Sequence, residues 1–126
     1  MPVVGMGGYF FRARDPEALR AWYREHLGVG GGMGTGDKGQ SNPYCWYHEG
    51  GPMVFEPFAA DTDYFPADRS AMVNLRVRGL ADLVAGLRAA GIEPVKEDLG
   101  TEAGSFARIL DPEGNPIELW EPPADS

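Results

Sequence analysis

The chain has 126 residues, 43 % of them hydrophobic and 11 % aromatic, with 19 acidic and 11 basic side chains giving a net charge of −8. That length and composition fit one globular domain, and an acidic chain without a run of Lys or Arg argues against nucleic acid and anionic membrane as partners. A single Cys, Cys45, excludes an intrachain disulfide and points to a reducing compartment; a half-buried strand position is expected for it.

The opening MPVVGMGG has neither a basic region nor a long apolar run, so a signal peptide is not expected. No stretch approaches the roughly 18 apolar residues of a membrane span. The expected location is the cytoplasm. Residues 3–13 are apolar and read as a strand that stops at Asp15-Pro16. Asp15 can cap a helix over 16–27, Pro16 suits its first turn, and Gly28 suits its end. Ala18, Leu19, Trp22, Tyr23 and Leu27 recur at helical spacing. The Gly-rich stretch 29–41 resembles a phosphate-cradling loop only in composition. It precedes no helix and lacks the Gly-Lys-Ser/Thr ending, so a strand connection is expected. Residues 43–49 and 53–58 read as strands around Gly50-Gly51-Pro52, followed by a long loop over 59–70.

A second strand, 71–78, then leads to a helix over 80–90 ended by Gly91. Strands near 92–97, 104–110 and 116–121 follow, the last two joined by the turn Asp111-Pro112-Glu113-Gly114-Asn115. The two halves therefore share an order. Arg12 and Arg76 are 64 residues apart, as are Gly8 and Met72, and Leu19 and Leu83; Glu56 and Glu118 are 62 apart. A βαβββ unit used twice is expected, about 3–58 and 71–122, within a single domain over 1–126. The fold class is α+β: a cupped mixed sheet with helices outside and a cavity inside.

Three stretches carry a family likeness: GYFFRARDPEALRAWYREHLGV (8–29), MVNLRVRGLADLVAGLRAAGIEP (72–94) and FARILDPEGNPIELWEP (106–122). In these the chain resembles the vicinal-oxygen-chelate superfamily of glyoxalases, bleomycin-resistance proteins and extradiol dioxygenases. The resemblance implies a metal-ligand position on the first and last strand of each unit. Those positions fall on Gly8, Met72, Glu56 and Glu118, so both carboxylates are present and both imidazoles are missing. Gly8 has no donor and the Met72 thioether suits hard or borderline cations poorly. No cofactor and no transition metal are expected, although two carboxylates alone can hold Mg²⁺ or Ca²⁺ weakly. His26, on the first helix, and His48, at a strand end, do not restore the site; His26 is expected to be solvated near the helix C-terminus.

Strand alternation from these positions predicts the cavity lining. Phe10 and Arg12 follow Gly8; Asn74 and Arg76 follow Met72; Val54 and Phe58 flank Glu56; Pro116 and Trp120 flank Glu118. Polar groups in an apolar cup describe a ligand site, and mutually neutralising Arg–Glu pairs are the plainer alternative. Trp46 can add an aromatic wall and Tyr64-Phe65-Pro66 can close the mouth. Two functions stay open. One is a metal-independent, antibiotic-sequestering homodimer that binds a planar or cationic small molecule through Phe10, Arg12, Trp46, Phe58, Met72, Asn74, Arg76 and Trp120. The other is a lyase or isomerase that uses Glu56 or Glu118 as its base on a small oxygenated metabolite, with or without a weakly held divalent ion. Whether the chain is an enzyme is left open by its sequence.

Overall fold

A computed structural model describes residues 2–34 and 42–124. The order of elements is helix α1 (Pro16–Leu27), strand β1 (Val73–Arg76), helix α2 (Leu80–Ala89), and strands β2 (Lys96–Thr101), β3 (Gly104–Leu110) and β4 (Pro116–Glu121). The strands form one mixed sheet in the order β1-β4-β3-β2. Strand β1 runs parallel to β4, with Asn74 opposite Glu118, while β3 is antiparallel to both β4 and β2. This is one complete βαβββ unit, and the α+β class read from the sequence holds.

Period-2 alternation sorts the sheet into two faces. Ala107 and Ile109 on β3 and Ile117 and Leu119 on β4 pack against Leu80, Val84 and Leu87 of α2. Four of these side chains, Leu80, Ile109, Ile117 and Leu119, are fully buried, each contributing roughly 1.5–3 kcal/mol of transfer free energy. Helix α1 also joins this core, through Trp22, Tyr23 and Leu27.

Both helix starts are capped by carboxylates. The Asp15 side chain accepts from the Ala18 N–H at 3.1 Å. Helix α2 begins at Gly79 without a cap of its own, and Glu121 accepts from the Gly79 and Leu80 N–H groups at 3.0 Å each. Helix α1 ends at Gly28, whose φ of +67° is the left-handed value that costs a glycine nothing. The turn after β3 is organised by Asp111, which is 4 % exposed. Its carboxylate accepts from Glu113 N, Asn115 N, Asn115 Nδ2 and Tyr23 Oη at 2.8–3.0 Å. Burial, then the bond to Asp111, pushes the Tyr23 phenol far above its ordinary pKa of 10.0. Glu113 accepts from Arg14 N and Asp15 N at 2.7 and 2.9 Å, fastening the entry of α1 to the same turn.

The first half departs from the expected repeat. Its helix is present, but the stretches 3–13, 43–49 and 53–58 form no strand among the described residues; an isolated parallel bridge, Gly34 with Tyr47, is what pairing there is. Phe10 is 93 % exposed, Phe55 81 % and Val54 74 %. A strand exists only through its neighbour, and among the described residues no second sheet lies across these stretches. Three further departures concern one boundary and two single residues. The strand expected near 92–97 lies at 96–101, and Cys45 is exposed and off any strand. His26 is half-buried against the Trp22 ring, at 5.4 Å between centroids, rather than solvated. Residues 35–41 of the Gly-rich stretch lie outside the described residues. No helix among the described residues is long and apolar enough to cross a membrane.

Candidate functional site

The face of the sheet opposite α2 carries the polar groups. Register places Asn74 beside Glu118, Glu118 beside Arg108, and Arg108 beside Lys96 across β1, β4, β3 and β2. In the next row Trp120 lies beside Phe106, their rings 6.2 Å apart and nearly parallel at 11°. The Trp120 indole N–H donates to the Ala103 carbonyl at 2.7 Å, which fixes the ring at the edge of the cup.

Glu118 is the centre of this face, 7 % exposed. A buried carboxylate must be compensated. The Asn74 amide donates to Oε1 at 2.8 Å and the Tyr64 hydroxyl donates to Oε2 at 2.6 Å. Arg108 Nη2 stands 3.8 Å from Oε2 as an ion pair with both side chains about nine-tenths buried. Tyr64 comes from the long loop before β1, and its ring is covered by cations: the Arg108 guanidinium carbon is 4.6 Å and Lys96 Nζ 5.3 Å from its centroid. Burial first, then the bond to Glu118, raises the Tyr64 pKa, with Arg108 opposing. Lys96 also pairs with Asp98 at 3.7 Å. The cavity left among these groups, bounded by Tyr64, Lys96, Asp98, Phe106, Arg108 and Glu118, has a volume of about 10 Å³, room for one water.

The residues expected to line the cup divide sharply. Asn74, Glu118 and Trp120 share the face of the sheet opposite α2. Phe58 reaches its rim through ring contacts with Tyr64 at 5.4 Å and Phe65 at 5.9 Å. Met72 is half-buried just before β1. Arg76 stands opposite Trp120 in the register and so on the same face, where it donates to the carbonyls of Glu49, Gly50 and Pro52 and ties down that turn. Phe10, Arg12 and Glu56 are exposed, and the Trp46 ring packs at a tilt against His48, 5.1 Å between centroids. The structure thus does not bring Glu56 to Glu118, because the strand meant to carry Glu56 is not paired.

Arg108, Phe106, Lys96 and Asp98 were not foreseen. The signal for two of them was available: in Phe-Ala-Arg-Ile-Leu the apolar Ala107 and Ile109 claim the helix side, which turns Phe106 and Arg108 to the cup.

The four ligand positions implied by the family likeness do not assemble a transition-metal site. Gly8 is exposed, and a side chain there would meet the Phe10 ring at 2.8 Å. Both Glu118 oxygens are already held, and no cluster of three or more His, Cys, Asp or Glu suited to a metal occurs among the described residues.

The model of the glyoxalase-like domain family matches residues 9–120. Among solved structures, the glyoxalase family protein from Enterococcus faecalis is similar, at 28 % identity and a TM-score of 0.38, over 51 % of this chain and 52 % of that one. The chain thus matches about half the length of that protein. No curated protein matches. With a family match running through nearly the whole sequence and a βαβββ unit closed by the Asp-Pro-Glu-Gly-Asn turn, the chain belongs to the glyoxalase-like domain family of the vicinal-oxygen-chelate superfamily.

Proposed function

We propose that this chain binds a planar small molecule on the concave face of its sheet, without a transition metal, as a cytoplasmic homodimer of the antibiotic-sequestering type. The observation that carries the reading is the buried Glu118 held between Asn74, Tyr64 and Arg108, with the Phe106–Trp120 pair beside it. Aromatic area provides affinity in such sites and a few fixed polar groups provide orientation. The dimer is supported by the apolar side chains left uncovered in the first half, Phe10, Val54 and Phe55 among them, since a soluble chain rarely leaves so many exposed together. Two cations facing the Tyr64 ring favour an electron-rich planar ligand over a cationic one.

The test is fluorescence titration of parent and Trp120→Phe with a panel of planar and cationic compounds, alongside light scattering. A planar ligand should bind the dimeric parent and lose about tenfold or more in the variant, the scale of truncating an aromatic anchor. A monomer, or unchanged affinity in Trp120→Phe, sinks the corresponding part of the proposal.

A second reading, a lyase or isomerase, draws on Glu118 alone, a buried carboxylate in contact with a phenol and open to proton transfer once Tyr64 is displaced. Turnover of a methylglyoxal–thiol adduct that disappears in Glu118→Gln would favour it over binding alone.

A further inference from the structure

We infer that the cup is a site for a hydroxylated aromatic ring, which Tyr64 fills in the free chain as an internal stand-in. The inference rests on the binding reading above and narrows it to a ligand class.

Tyr64 does not belong to the sheet. It enters from the 59–70 loop and supplies what a phenolic ligand would supply. Its hydroxyl donates to Glu118 Oε2 at 2.6 Å, and its ring lies under Arg108 at 4.6 Å and Lys96 at 5.3 Å. The acceptor is fixed in advance, because Asn74 holds the other Glu118 oxygen at 2.8 Å. A hydroxyl is therefore recognised by a directed carboxylate, and a ring by two cations on its electron-rich face.

The remaining space, about 10 Å³, admits a water and no ring, so a ligand enters only as Tyr64 leaves. The exchange conserves the pattern of contacts, since each interaction that Tyr64 gives up is offered again by the incoming phenol. One donor also stays unspent while Tyr64 is in place. Arg108, 9 % exposed, has a buried Nε without a hydrogen-bond partner among the described residues, and a buried donor left unpaired is costly. A ligand that brings an acceptor to the cup gains what a tyrosine side chain cannot give.

The test uses the full chain with Tyr64→Ala and two probes, p-cresol, the analogue of the tyrosine side chain, and toluene, which lacks only its hydroxyl. Calorimetry and thermal shift should show p-cresol binding the variant at least ten times more tightly than toluene, and at least ten times more tightly than p-cresol binds the parent. Adding Glu118→Gln should erase most of the preference for the hydroxyl. If the Ala variant does not fold, Tyr64→Phe serves instead: its plug lacks the Glu118 bond, so p-cresol should bind it more tightly than it binds the parent. Equal binding of p-cresol and toluene by folded Tyr64→Ala overturns the ligand class, as does a Tyr64→Phe chain with the parent's affinity. Planar compounds that still bind through Trp120 in that event leave the broader reading intact, whereas loss of all planar binding in parent and variant sinks both.

Discussion

The two halves of this chain carry similar apolar patterns and meet opposite fates. In residues 71–122 the alternating side chains find a helix on one side and a polar cup on the other, and Ile109, Ile117 and Leu119 are completely buried. In residues 3–13 and 53–58 side chains of the same kind stand in solvent, with Val4 96 % and Phe10 93 % exposed. The difference is not one of local propensity. Strand β4 has β1 on one side and β3 on the other, and α2 covers its inner face, so its pattern is paid back locally. The first half has its helix, but α1 packs on the core of the second half, and among the described residues no sheet of its own forms beneath it. An apolar alternation states that a face needs covering; it does not name the cover.

The sharpest way to break this contrast is to cut side chains from both halves. Leu119→Ala should cost about 3 kcal/mol, as large-to-small core substitutions do, whereas Phe55→Ala should change the stability of the monomer by less than about 0.5 kcal/mol, as exposed positions do. Urea denaturation at low protein concentration measures both. If Phe55→Ala becomes costly only as concentration rises, the cover is a second copy of the chain; a large cost at every concentration would mean that the first half has a core of its own.

A smaller effect is expected at the joint between the halves. Tyr23→Phe removes one of four donors to the buried Asp111 and should cost about 1 kcal/mol. The folded-state pKa of Tyr23 is raised, so its contribution is complete below pH 10 and is lost as pH climbs through the folded value. Thermal melts above pH 10 should therefore bring parent and variant together. A gap that widens there would exclude the phenol as its source.

Smallest of all are the two carboxylate clamps. Glu113 and Glu121 have lowered pKa values, chiefly from the backbone N–H groups they accept, those of Arg14 and Asp15 for the first and of Leu80 and Gly79 for the second. A depressed pKa contributes stability that is present above the ordinary 4.5 and lost as pH falls through the folded value. Glu113→Gln with Glu121→Gln should melt slightly below the parent at pH 7 and draw level with it as pH falls below 4.5 and through the folded values. A gap that persists in acid would assign the clamps to packing.

The helices, the Asp111 turn and strands 104–110 and 116–121 were legible because each is fixed by neighbours in sequence: a capping Asp15, a left-handed Gly28, apolar spacing within one element. Strand β2 was read four residues early because Lys-Glu-Asp-Leu-Gly-Thr has no apolar alternation; it is an edge strand with a register shift after Asp98. In the cup, Asn74, Glu118 and Trp120 followed from counting by twos along β1 and β4. Arg108 and Phe106 would have followed from the same count along β3. Tyr64 was readable only as a lid over the mouth, because a loop residue's partner is set by where the chain happens to return. Glu56, like Val54 and Phe55, stands exposed outside the sheet, on a stretch whose alternation has no paired neighbour among the described residues.

The attachment of α1 to the far turn has a consequence for how the chain folds. Arg14 and Glu113 are 99 positions apart, and Tyr23 and Asp111 are 88. Closing a loop of that size is an entropic debt whose growth with length is slow, about 0.6 kcal/mol for each doubling, but which must be met before any contact of α1 with the core is gained. Strands β2, β3 and β4 and helix α2 close among themselves over short separations and present the turn to which α1 binds. Docking of the first helix is thus a late event, made on a surface already built, and truncations there should speed unfolding while leaving the refolding rate nearly unchanged.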